Sequence, residues 1–146
     1  MGYRSEVAYV IRFRDKEQLD TFIGVQLCKK DEHITQALGE LHQIQTTQTE
    51  QYLYFYAQEV KWYDDYPDVK AHQKLLEDAV EDYEETASLF IRCGEQADDL
   101  EEDGNGDDCW DLYDYISVNR PSICIDVGNT KPILNENNEL TESETT

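Results

Sequence analysis

QYLYFYAQEVKW, residues 51–62, is the most aromatic run of the chain, and it is dense on both sides. Side chains alternate across an extended strand, so Tyr52, Tyr54 and Tyr56 share one side and Leu53, Phe55 and Ala57 the other. Such density suits a central strand covered on both faces, or one whose tyrosine side forms an aromatic surface. Toward the N-terminus, GYRSEVAYVIRFR alternates Val7, Tyr9, Ile11 and Phe13 with Ala8, Val10, Arg12 and Arg14, the pattern of a strand with one apolar face. Asp15 then offers an N-cap with Gln18 three residues on, and Leu19, Phe22, Ile23 and Leu27 predict a helix over 16–28. A weaker helical pattern starts at Asp31, uses Ile34, Ala37, Leu38, Leu41 and Ile44, is interrupted by Gly39, and ends at the TTQT run of 46–49.

On the other side of the aromatic run, Asp64–Pro67 breaks the strand, and Pro67 fits the first position of a helix. Val69, His72, Leu76, Ala79, Val80 and Tyr83 make its buried stripe over 68–86, while Glu77, Asp78, Glu81, Asp82, Glu84 and Glu85 fill the remaining circumference. SLFIRC at 88–93 reads as a third strand. EQADDLEEDGNGDDCWDLYD, residues 95–114, follows with ten carboxylates and no Lys or Arg, and reads as an acidic loop turning at Gly104–Gly106. Trp110, Leu112, Asp114, Ile116 and Val118 alternate with Tyr113, Tyr115 and Ser117 as a fourth strand; Pro121 interrupts, and 123–127 reads as an edge strand. The expected fold is α+β: a mainly antiparallel sheet of four to five strands, two to three helices on one face, and the acidic loop between strands three and four. The expected organisation is one acidic domain over 1–127 and a flexible, disordered polar tail over 128–146.

At 146 residues with 39% hydrophobic side chains, the chain is long enough to bury a core without metal or disulfide staples. Its net charge of −21 is uneven: residues 1–30 carry +2 and residues 77–146 carry −18. A field of that sign repels nucleic acid and anionic lipid and attracts cationic proteins, which argues against direct nucleic-acid or membrane binding. No secretory n/h-region and no lipidation signal is present, so cytoplasmic residence is expected. Cys28, Cys93, Cys109 and Cys124 show no CxxC pairing and read as free, buried thiols.

Three chemistries could use these carboxylates. Asp99, Glu101, Asp103, Gly104, Asn105 and Asp107 fall in the register of a calcium loop, but Trp110 stands where the closing bidentate Glu is needed, so no metal site is assigned. Carboxylate catalysis needs a rigid pair in a pocket, usually with a basic residue to complete the work, and nothing in the spacing selects one. His33, His42 and His72 are scattered, with His72 on a buried stripe, and no cofactor, catalytic residue or enzyme activity is expected. Mimicry of a polyanion remains. Carboxylates at helical i, i+4 spacing lie roughly 5–6 Å apart, and same-face strand positions roughly 6–7 Å, comparable to phosphates along a nucleic-acid strand. The bland alternative is a solvated acidic surface serving solubility.

MGYRSEV at 1–7, VKWYDDYPDV at 60–69 and RCGEQADDLEE at 92–102 together resemble a group of small, mostly uncharacterised proteins encoded by bacteriophages and prophages. The resemblance implies a phage origin and action in the host bacterial cytoplasm, and assigns no residue a role. The expected function is a non-enzymatic inhibitor that presents an acidic, DNA-mimicking surface to a basic, nucleic-acid-binding host protein such as a defence or transcription enzyme. The residues expected to meet that partner are Glu81, Asp82, Glu84, Glu85, Asp98, Asp99, Glu101, Glu102, Asp103, Asp107 and Asp108. The alternative is a homodimeric or higher homo-oligomeric interaction module using an aromatic sheet surface around Tyr52, Tyr54, Trp62 and Tyr63.

Overall fold

β1 (Ser5–Phe13) is the strand on which the sheet is assembled, paired antiparallel with β3 (Gln51–Val60) on one side and β4 (Ala87–Gly94) on the other. The structure is a computed structural model that describes residues 3–96, 98–119 and 122–134. Around the central three strands lie β2 (His42–Ile44), β5 (Leu100–Gly106) and β8 (Thr130–Pro132), in the order β5-β4-β1-β3-β2-β8. β6 (Ile116–Asn119) and β7 (Ser122–Ile125) form a separate antiparallel pair. The helices are α1 (Lys16–Cys28), α2 (Glu32–Gly39) and α3 (Pro67–Asp82), with a 3-10 helix at Cys109–Asp114. The architecture is α+β and mainly antiparallel as expected, with the three α-helices on one face; the main sheet has six strands among the described residues rather than four to five, and β6–β7 stands apart from it.

Alternation along the central strands divides the interior in two. On the helix side, Tyr9, Ile11, Leu53, Phe55 and Phe90 of the sheet meet Leu19, Phe22 and Ile23 of α1, Leu38 of α2, and Leu75 and Ala79 of α3. On the opposite side, Ala8, Val10, Tyr52, Leu89 and Ile91 are covered by Cys109 and Leu112 of the 3-10 helix and by Ile116 and Ile123 of the β6–β7 pair. Of the two readings open for residues 51–62, the strand covered on both faces is the one found.

Local signals hold the helices in place. Asp15 accepts from the Gln18 amide at 2.9 Å, and Gln18 Oε1 accepts from the Arg14 amide at 2.9 Å, a reciprocal cap that starts α1. Asp31 accepts from the His33 and Ile34 amides at the start of α2. Pro67 occupies the first turn of α3, where its missing N–H leaves no bond unmade. His72 of α3 is 2% exposed; its Nδ1 lies 2.7 Å from the Tyr9 hydroxyl and its Nε2 3.0 Å from Glu40. It is a satisfied core residue, as its place on the apolar stripe implied.

Several segments depart from expectation. Helix α3 ends at Asp82 rather than near 86, so Glu84 and Glu85 follow it instead of lying on its face, and Asp78, expected on the polar circumference, is buried. Helix α2 stops at Gly39, and Leu41 and Ile44 enter the interior from a turn and from β2. The segment 100–106, expected as loop, is the edge strand β5, paired with β4 from Ala87↔Gly106 to Cys93↔Leu100. At the sheet edge its side chains remain exposed or half-buried, so no apolar periodicity marks it. The alternation from Trp110 begins as the 3-10 helix and becomes strand only at Ile116, with Leu112 buried and Trp110 52% exposed. Finally, β8 pairs with β2, and Ile133 and Leu134 are buried, so the domain reaches 134 rather than ending at 127; residues 135–146 of the expected tail lie outside the described residues. The cysteines are free, but only Cys93 and Cys109 are buried, while Cys28 and Cys124 are exposed.

Candidate functional site

The acidic residues gather along one border of the molecule because β5 returns alongside α3. A hydrogen bond from the Asp107 amide to the Thr86 carbonyl at 3.3 Å draws the end of β5 to the turn that follows α3. The turn carrying Glu84 and Glu85 is therefore brought to the end of β5 and Asp107, although more than twenty residues separate them in sequence. Glu85 and Asp108 both adopt the left-handed region, with φ of 59° and 52°. Gly106 has φ +89°, and a Cβ there would stand 2.2 Å from the Thr86 carbonyl oxygen, so only glycine allows this approach.

Between α3 and the β4–β5 edge runs an open groove of about 300 Å³. Glu77 and Glu81 line it from α3, Glu101 and Asp103 from β5, and Asp64 from the preceding turn. No Lys or Arg is among its lining residues. Alternation along β5 explains the split: Glu101, Asp103 and Asn105 pair with Arg92, Phe90 and Ser88 and share their helix-side face, while Leu100, Glu102 and Gly104 face the other way. On that other face Glu102 accepts a hydrogen bond from the Tyr113 hydroxyl, and Trp110 stacks on Tyr113 with ring centroids 5.9 Å apart. Gly104 admits the 3-10 helix, since a Cβ there would meet Cys109 Sγ at 2.7 Å. Burial, then the Glu102 carboxylate, pushes the Tyr113 hydroxyl up to about 12. Glu102→Gln is expected to lower it, and an absorbance titration differenced against Tyr113→Phe reads that change; an unmoved Tyr113 would deny the contact.

The eleven carboxylates expected to meet a partner are not equivalent. All are exposed except Asp99, which is half-buried. Asp99 is bound at both oxygens by Arg92, at 2.8 and 3.2 Å, and accepts from the Tyr3 hydroxyl at 2.6 Å. Arg92 Nε also holds Glu101 at 3.1 Å. Asp99 therefore fixes the turn into β5 and is a structural residue, and Leu100–Gly106 of the acidic run is an extended strand rather than a calcium loop. Among the described residues no cluster of His, Cys, Asp and Glu is arranged to hold a metal. Two further cations stand near the acidic border: Arg12 donates to the Asp107 carbonyl, and Arg14 lies near Glu84 and Glu85, where bonding to Asp15 and the surrounding carboxylates raise its pKa. The basic N-terminal strand and the acidic border are partly matched across the sheet, which linear charge counting did not show.

The expected aromatic sheet surface is absent as such. Tyr52 is 6% exposed, with its ring 4.8 Å from that of Tyr115. Tyr54 is half-buried in the same layer, and burial pushes its hydroxyl up to about 12. Trp62 packs toward Phe55, His72 and Phe90 on the helix side, and Tyr63 accepts from the Tyr3 amide at 2.6 Å. The physical reason is that the β6–β7 pair and the 3-10 helix cover the tyrosine face. The exposed aromatics are Trp110 and, less so, Tyr66. Asp64, Ser88 and Phe90 also line the groove and were not expected there, because nothing in local spacing ties the turn at 64–65 to β5; Trp62, expected in an aromatic surface, lines the groove instead. Glu77 and Glu81 were legible as an i, i+4 pair.

Comparison with protein-family models, with curated proteins and with solved structures finds no match. Among the described residues, no helix is long and apolar enough to cross a membrane.

Proposed function

We propose that this is a non-catalytic binding protein that presents its acidic border to a basic, nucleic-acid-binding protein of a bacterial host and occupies the surface where phosphates would otherwise lie. The observation that carries this reading is the convergence of carboxylates from α3 and β5 on one groove with no lining cation. Solubility needs only scattered charge, and like charges gathered from separate elements cost folding free energy through repulsion. Extended same-face carboxylates on β5 and i, i+4 carboxylates on α3 are spaced as a phosphate array is. Trp110 and Tyr113, on the far side of β5, supply apolar area beside that charge, the combination of anchor and polar rim on which protein interfaces depend. The likeness of three sequence segments to phage-encoded proteins supports a host protein as the target and the bacterial cytoplasm as the place of action.

The test pairs the native protein with Glu81→Gln/Glu84→Gln/Asp103→Asn/Asp108→Asn as baits for bacterial lysate at low and high salt. All four positions are exposed, so the fold should persist. The expected result is capture of a basic nucleic-acid-binding protein by the native bait only, with affinity about tenfold or more weaker for the variant and a flatter salt dependence. Affinity indifferent to both charge removal and salt would sink the reading.

A further inference from the structure

The groove between α3 and the sheet edge is more than a gathering of charge. Its floor is apolar: Trp62 and Phe90, ring centroids 6.0 Å apart and inclined at 34°, sit with Leu76 and Val80. Glu77, Glu81 and Asp103 stand on its walls, and none accepts a hydrogen bond from a described residue. Ser88 also lines the groove at 2% exposure, and its hydroxyl likewise has no partner among the described residues. That hydroxyl opens onto the groove, where an entering N–H donor can bond to it. A volume of about 300 Å³ stands at the lower end of ligand sites, which run from about 300 to 1,000 Å³, and suits one long side chain better than a nucleotide.

One lip of this groove is β5, the last strand of the sheet, whose outer backbone edge faces no other described strand. The consecutive carboxylates Glu101, Glu102 and Asp103 repel a second copy of the same strand and favour a cationic one. A strand added to β5 turns alternate side chains to the helix side, toward the groove.

We propose that the groove receives an arginine side chain from an extended cationic segment of the partner polypeptide, which pairs along the free edge of β5. This rests on the reading of the acidic border as a surface for a basic protein. The arginine methylenes lie on Leu76 and Val80, and the guanidinium plane stacks on Trp62 and Phe90. Its five N–H donors serve Glu77, Glu81, Asp103 and the Ser88 hydroxyl. Lysine has neither the planar face nor the fork of donors that this arrangement uses.

The test uses the full native chain, with Trp62→Phe as the reference that carries the Trp110 emission alone, so that the difference reports Trp62. The probes are a short synthetic peptide alternating arginine with threonine, fluorescently labelled for anisotropy, the same peptide with neutral citrulline for arginine, and free arginine. The arginine peptide should change Trp62 emission saturably at low salt, and the citrulline peptide and free arginine should not over the same range. Glu81→Gln/Asp103→Asn should weaken binding about tenfold or more, and Ser88→Ala about threefold to tenfold with an unchanged melting temperature. Peptide binding by anisotropy with a silent Trp62 would overturn the groove and leave the acidic surface standing. An equal response to free arginine would overturn the strand pairing. Failure of the arginine peptide and of basic host proteins alike to bind would overturn both readings.

Discussion

Gly106→Ala is expected to destabilise the fold by about 2–4 kcal/mol and to loosen β5 before anything else unfolds. Two costs combine at this position. The backbone sits at φ +89°, which an L side chain rarely adopts, and the new Cβ would lie 2.2 Å from the Thr86 carbonyl oxygen and 2.8 Å from Ala87 Cα. Neither neighbour is a flexible side-chain end, so the clash is relieved only by moving β5 away from β4. That movement breaks the Ala87↔Gly106 pairing and the Asp107–Thr86 hydrogen bond, which together hold the acidic strand beside α3. Hydrogen exchange should show lost protection across β5 while the β1–β3 ladder keeps its own. Binding to the basic partner should weaken although every carboxylate remains. A variant with native melting temperature and native exchange at β5 would contradict the strand's dependence on this glycine.

Asp78→Ala is expected to cost about 2 kcal/mol at neutral pH, below the roughly 3–5 kcal/mol for a fully buried pair because its lysine partners are partly exposed. Asp78 is 5% exposed and holds α1 to α3: Gln26 Nε2 donates to it at 3.1 Å, Lys29 Nζ at 2.7 Å and Lys74 Nζ at 3.1 Å. Burial alone would push this carboxyl up, but the bonds from Lys29, Gln26 and Lys74 outweigh it and leave the pKa below the ordinary value. The sign of the pH effect follows. A depressed pKa in the folded state means that Asp78 contributes its stability above the unfolded value of about 3.9, and that the contribution fades as pH falls through the folded value. Chemical denaturation of native and Asp78→Ala protein should therefore give a difference that is constant above about pH 5 and shrinks toward acid. A gap that widened in acid would reverse the assignment.

Both residues act through partners distant in sequence, Asp78 through Gln26 and Lys29 and Gly106 through Thr86, whereas other parts of the fold were written locally. The N-cap at Asp15, the apolar stripe of α1 and the two-sided density of residues 51–62 were legible because period and cap chemistry need only neighbours in sequence. Helix α1 occupies its expected span, and the aromatic strand is covered on both faces. The same logic failed at 100–106, where an edge strand without a buried face carries no alternation, and at 130–134, where a polar segment is held by pairing with β2 and by Ile133 and Leu134. It failed again where helical spacing included Leu41 and Ile44, which reach the interior from a turn and a strand.

Composition and order along the chain determined an acidic α+β domain with its negative charge in the C-terminal half, because charge and periodicity are sums over local residues. Tertiary structure alone decided which carboxylates stand together, that Asp99 is bound by Arg92 and Tyr3, that Arg12 and Arg14 lie against the acidic border, and that Trp62, Phe90 and Ser88 floor a groove walled by α3 and β5. These contacts join residues up to 96 positions apart. Strand pairing sets them, and no residue's neighbours in sequence record which strand will lie beside it.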